Sequence, residues 1–120
     1  MQAIVRQFGR TVHITNGSTA LAAGQVVVIG DLVGVTTYPV AANALYALTV
    51  EGVAEVVKIN DNMSTAGVVI YWNATGNPVG GTAGTGGATT TASTHKKLGL
   101  SIAVAGAAAG TVQVLLGARA

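Results

Sequence analysis

Glu51 and Glu55 lie an even number of residues apart, so on one strand both carboxylates would leave the same face. Two carboxylates on one face are the equipment of glycoside hydrolysis, one as acid and the other as base or nucleophile. Gly52 stands between them and can bend the chain, which favours two solvated charges at a strand edge. His13 and His95 are the only two imidazoles. A closed zinc site takes four ligands, and only scattered carboxylates are left to complete one. The chain has no cysteine, so disulfides and thiolate metal sites are excluded. A Ser-His-Asp triad assembles in space rather than in sequence, but no G-x-S-x-G elbow marks a nucleophile here.

Gly81-Thr82-Ala83-Gly84-Thr85-Gly86-Gly87 has the glycine content of a phosphate cradle. It lacks the Gly-Lys-Ser/Thr step and no helical pattern follows, so it reads as a connection. Tyr71-Trp72 could offer a stacking platform, but neighbouring strand residues face opposite ways, which puts one ring inward and one at an interface. Three triplets, beginning at Asn16, Asn62 and Asn73, match the glycosylation pattern. Met1 to Arg6 has no apolar run of the secretory kind, so the expectation is a chain without that signal, and the triplets carry no weight. These residues predict no catalytic group, no cofactor and no metal.

The elements that would position such groups are short strands. Thr11 to Thr15 alternates with period two, and Asn16-Gly17-Ser18 follows as a turn. Gln25 to Ile29 is a continuous apolar run, which predicts a strand buried on both faces. Gly30-Asp31 reads as a tight hairpin turn into Leu32 to Thr37. Further strands are expected over Ala44 to Val50, Val53 to Lys58 and Gly67 to Asn73, the last β-branched and aromatic. Gly80 to Thr94 is Gly, Thr, Ala and Ser without an apolar face, and predicts a long flexible loop. Leu98 to Val104 and Thr111 to Leu116 complete the set. Leu98 to Ala118 is uncharged and long enough to cross a bilayer, yet its four glycines and two alternating halves predict strands. The expectation is an all-β fold, a small single-domain barrel or sandwich, with residues 11–118 as the domain, 80–94 as its loop and 1–10 as an N-terminal arm.

Composition narrows the function. Half of the residues are apolar but only 4% are aromatic, and 17 glycines interrupt the rest. Charged residues make up 8%, against about 25% in an ordinary soluble domain. So little charge on a small surface favours burial in an oligomer or a larger assembly. Six cations against four anions form no basic cluster beyond Lys96-Lys97, which argues against nucleic acid as a partner.

The ordered segments resemble the phage capsid cement, or decoration, proteins. The resemblance rests on the hairpin Ala23-Gly24-Gln25-Val26-Val27-Val28 to Leu32-Val33-Gly34-Val35 and the bend Thr49-Val50-Glu51-Gly52-Val53. It continues through Gly67-Val68-Val69-Ile70-Tyr71-Trp72-Asn73, Leu98-Gly99-Leu100-Ser101-Ile102-Ala103, and Ala108 to Leu116. It implies a structural virion protein, made in the bacterial host cytoplasm, that binds the outer capsid surface and stabilises contacts between major capsid proteins. It also implies a homo-oligomer, commonly a trimer, with no enzyme activity and neither nucleic acid nor membrane as partner. The alternative reading is a β-barrel module that binds carbohydrate or a host surface. Residues 80–94 and the first ten depart from the pattern. In that first stretch Arg6, Phe8 and Arg10, and beyond it Trp72, are the candidate capsid or subunit contacts.

Overall fold

The computed structural model describes residues 10–117. Among them are nine strands in two antiparallel sheets and no helix, an all-β protein as the alternating segments predict. Two compact units divide between Glu51 and Gly52. Gly52 has φ +111°, a conformation L side chains rarely adopt, so the Glu-Gly step is where the chain turns out of one unit into the next.

The first unit holds β1 (Thr11–Thr15), β2 (Val26–Ile29), β3 (Leu32–Val35) and β4 (Leu45–Thr49), in the order β1-β4-β3-β2. Gly30 at φ +60° and Asp31 make the two-residue turn that pairs Ile29 with Leu32. Gly at the first central position is the requirement of a type II′ hairpin turn, whose twist matches its strands. Tyr46 and Leu48 of β4 pack with Val40 to form the core, joined by Val12, Ile14 and Val27. Gly34 is needed for this closeness, because a Cβ there would lie 2.6 Å from Leu48 Cγ. The apolar run in β2 is not buried on both faces as expected. β2 is the outermost strand of its sheet, and Val28 and Ile29 are exposed.

The second unit holds β5 (Gly52–Val57), β6 (Val69–Asn73), β7 (Gly87–Thr89), β8 (Lys96–Ser101) and β9 (Thr111–Leu116), in the order β5-β9-β8-β6-β7. β9 alternates strictly, with Val112, Val114 and Leu116 buried. Ile70, Val56, Met63, Leu98 and Ala105 fill the interior around them. The stretch from Leu98 that is long enough for a bilayer forms β8 and β9 rather than a helix.

The Gly80–Thr94 stretch differs from its sequence expectation. It contains β7, whose three residues are all buried and pair with Tyr71, Trp72 and Asn73. The small side chains that suggested a loop are what permits the strand. A Cβ on Gly87 would stand 2.7 Å from Ile59 Cγ2, and Ala88 forms a parallel bridge with Lys58. That bridge brings the end of β5 to β7, the two outer strands of this sheet, at one point.

Candidate functional site

The groups expected to do chemistry are dispersed or already engaged. Glu51 sits at the bend before β5, while Glu55 lies mid-strand opposite Gln113 and accepts a hydrogen bond from the Thr111 hydroxyl at 2.7 Å. His13 is an exposed residue of β1 in the first unit, and His95 precedes β8 in the second. Among the described residues no three His, Asp or Glu come together as a metal site.

The glycine-rich stretch is tied down as a turn network. Gly84 N–H donates to Asn77 Oδ1 at 2.8 Å and Gly86 N–H to the Gly76 carbonyl at 2.9 Å. Gly86 lies against the Trp72 indole, where a Cβ would be 2.6 Å from Cζ2. Trp72 and Tyr71 are each half-buried, so the strand alternation does not sort them into one core ring and one surface ring. The bulge between Ile70 and Tyr71 in the pairing with β8 breaks the alternation at that step.

Of the expected contact residues, Arg6 and Phe8 lie outside the described residues. Arg10 is exposed, and its carbonyl accepts from Val50 N–H at 2.8 Å and Glu51 N–H at 3.3 Å. The backbone at Arg10 thus extends the β1–β4 pairing, and the expected arm is already anchored at its last residue.

The strongest polar arrangement is one the sequence reading missed. Lys58 has no exposed surface. Its Nζ donates to the carbonyls of Ile59 (3.0 Å), Gly106 (2.9 Å), Ala107 (3.3 Å) and Ala109 (3.4 Å). Three N–H groups shared among four oxygens satisfy the ammonium without a direct carboxylate contact. Burial pushes the Lys58 ammonium below the ordinary lysine value, and Asp61 partly restores it. Asp61 itself accepts from Thr90 N–H at 2.9 Å, Thr90 Oγ1 at 2.8 Å and Thr89 Oγ1 at 3.1 Å. The Thr90 backbone N–H chiefly holds its carboxyl below the usual carboxylate range, against the opposing effect of burial. The signal was present in the parity of β5. Val56 is an inward residue, and two positions on, the same side is inward again.

Chemically, this cluster fastens the chain. It joins the end of β5, the end of β7 and the 105–110 turn. Beside the exposed Lys96 and Lys97, the second unit also offers apolar side chains outward. Val53 is 61% exposed, Val57 45%, Ile102 43% and Leu115 39%.

Comparison with protein families gives a match to the model described as phage cement protein, over residues 6–116. Neither comparison with curated proteins nor comparison with solved structures gives a significant match.

Proposed function

The chain belongs to the phage cement protein family, and from that premise we propose that it binds the outer surface of a phage head and holds neighbouring major capsid proteins together. The family's role is that of a structural virion component associated with the capsid. The observation that carries the finer reading is the extent of the family match, from Arg6 to Leu116, nearly the whole described fold. Two features of the molecule support it. In the second unit Glu55, Lys58 and Asp61 are spent on internal hydrogen bonds, as suits a building part more than a catalyst. Val53, Val57 and Leu115 place aliphatic side chains on exposed strand positions.

The mechanism is physical. A small homo-oligomer, which we read as a trimer, touches several capsid subunits at once, so each weak contact raises the effective concentration of the next. It binds the assembled lattice and not its dissociated parts, and therefore stabilises the lattice by mass action. Arg6, Phe8, Arg10 and Trp72 are the contacts we assign, with Arg10 exposed and Trp72 half-exposed to serve them.

The test is sedimentation of the purified chain with expanded heads, unexpanded heads and immobilised glycans. Co-sedimentation with expanded heads, with a raised melting temperature of those heads, supports the proposal. Retention on glycans without binding to heads overturns it and favours a carbohydrate-binding module.

A further inference from the structure

Just past β1, the first unit holds a nucleophile and an electrophile side by side within a tie between two connections. β1 ends with Thr15 opposite Leu45 of β4, and the pairing runs on beyond it. Asn16 N–H donates to the Ala44 carbonyl at 2.8 Å, and Asn43 N–H donates to the Gly17 carbonyl at 2.8 Å. Asn43 sits at φ +62°, an uncommon conformation for a residue other than glycine. The Asn16 side chain adds a second tie. Its Nδ2 donates to the Thr19 carbonyl at 2.9 Å and to the Ala41 carbonyl at 3.0 Å, while its Oδ1 accepts from the Gly17 N–H at 2.8 Å. These partners fix the amide's orientation, since the flipped group would turn its oxygen onto two carbonyl oxygens.

The bond to Gly17 sets a backbone nitrogen against a side-chain carbonyl. A C=O bond is about 1.23 Å long, so that nitrogen stands within about 4 Å of Asn16 Cγ. Reacting atoms in a near-attack geometry are about 3–3.5 Å apart, so a small turn of the amide brings the two together. Gly17 has no side chain to shield its nitrogen, it is exposed, and nothing lies within 4 Å of a Cβ built on it. The other five asparagines precede Ala44, Asp61, Met63, Ala74 and Pro78, so Asn16 alone is followed by glycine.

We propose that Asn16 is a modification site, deamidated spontaneously by the Gly17 nitrogen, and that the product unties the 16–19 turn from residues 41–44. The Gly17 N–H loses its proton to hydroxide, the nitrogen bonds to Asn16 Cγ, and the Cγ–Nδ2 bond breaks. Nδ2 takes up a proton and leaves as ammonia. Water then opens the five-membered imide. Breaking the N–Cγ bond restores the main chain with an aspartate at position 16. Breaking the bond between the nitrogen and the main-chain carbonyl carbon leaves an isoaspartate, through whose side chain the backbone now runs. The net change is one amide and one water to one carboxylic acid and one ammonia, with no oxidant and no cofactor.

Either product reverses the chemistry of the tie. A carboxylate only accepts, so the Thr19 and Ala41 oxygens lose their donor and face a negative charge. Isoaspartate also lengthens the backbone by one carbon and shifts the Gly17 carbonyl away from the Asn43 N–H. Val40 and Ala44, on either side of the freed segment, belong to the cluster around Tyr46 and Leu48, so the loosening borders the core of this unit.

The experiment holds the full chain in mildly alkaline heavy-oxygen water and maps its peptides by mass spectrometry at intervals. Asn16 is expected to convert to the acid several-fold faster than any other asparagine, with heavy oxygen incorporated and part of the product carrying the isoaspartate linkage. Gly17→Ala, whose methyl enters open space, should slow the conversion several-fold. Should that variant fail to fold, the isoaspartate fraction of the parent decides, because direct hydrolysis of the amide yields aspartate alone. Asn16→Asp, which reproduces one product, should lower the thermal midpoint. An Asn16 that keeps its amide, that converts no faster than the other five, or that yields no isoaspartate overturns the site. An Asn16→Asp chain with the parent's midpoint overturns the untying. None of these readouts involves binding to heads, so the cement reading stands or falls separately.

Discussion

Lys58 Nζ donates to the Gly106 carbonyl oxygen at 2.9 Å from a side chain with no exposed surface, and so ties the end of β5 to the turn before β9. A buried ammonium costs several kcal/mol in lost hydration unless its hydrogens are satisfied. Here the carbonyls of Gly106, Ala107 and Ala109 in one turn, with that of Ile59, do that, and in return the turn gains a donor. The turn and the lysine therefore require each other.

Replacing Lys58 tests that dependence. Lys58→Met keeps the volume and removes the donor, so the Ile59 and Ala109 oxygens lose it while the Gly106 oxygen keeps the Ala109 N–H. A loss of about 2–4 kcal/mol is expected, from the lost charge-assisted hydrogen bonds partly offset by relief of desolvation. Urea unfolding measures the total. Amide exchange should show the 105–110 backbone opening first.

The acid limb of stability should carry the signature of Asp61. Its folded carboxyl titrates below the ordinary 3.8, so it contributes stability that is complete above that value and is lost as pH falls through the folded value. Asp61→Asn should be less stable than the parent near neutrality. The gap between the two should narrow as pH drops below 3.8. A gap that is constant from neutrality to strong acid would assign the loss to packing. Lys58 acts in the opposite sense. Its folded value lies below 10.5, so between the two the folded state binds fewer protons than the unfolded one, and its penalty is relieved only as pH rises through that window.

Gly86 and Gly84 separate backbone strain from steric contact. Both have positive φ, +109° and +81°, so an alanine at either is strained by roughly 1–2 kcal/mol. Only Gly86 also meets Trp72, whereas nothing lies within 4 Å of a Cβ on Gly84. Gly86→Ala should therefore cost about 1–3 kcal/mol more than Gly84→Ala. It should also shift Trp72 fluorescence, which Gly84→Ala should leave at the parent's wavelength.

The glycine- and threonine-rich stretch should divide into dispensable and essential parts. Replacing 80–94 with a short turn removes β7, buried Ala88 and both Asp61 partners, and should abolish the cooperative unfolding transition. Substituting Thr91 and Ala92 by serine, at exposed positions, should move the midpoint by less than about 2 °C, since such surface changes stay within about 0.5 kcal/mol.

Strand identity, the hairpin at Gly30-Asp31 and the all-β class were legible in the chain itself. They depend on period-two alternation and on turn residues, which are local properties. β9 shows this best, because each of its apolar side chains on one side is buried as the pattern requires. The order of the strands, and hence which of them stands outermost, is decided by pairing between residues far apart in sequence. That is why the apolar run of β2 proved an outer strand and not a central one. The same holds for β7. Gly87 and Ala88 have no hydrophobic signal, and only the closeness of Ile59 and Lys58 turns small side chains into a packing requirement. Lys58 looked like a solvated strand end, and Asp61 carried no signal, because a charge in a sequence defaults to solvent. The tertiary structure buried one and pinned the other by supplying carbonyls, hydroxyls and an N–H from segments 28 to 51 positions away, and no local pattern encodes that supply.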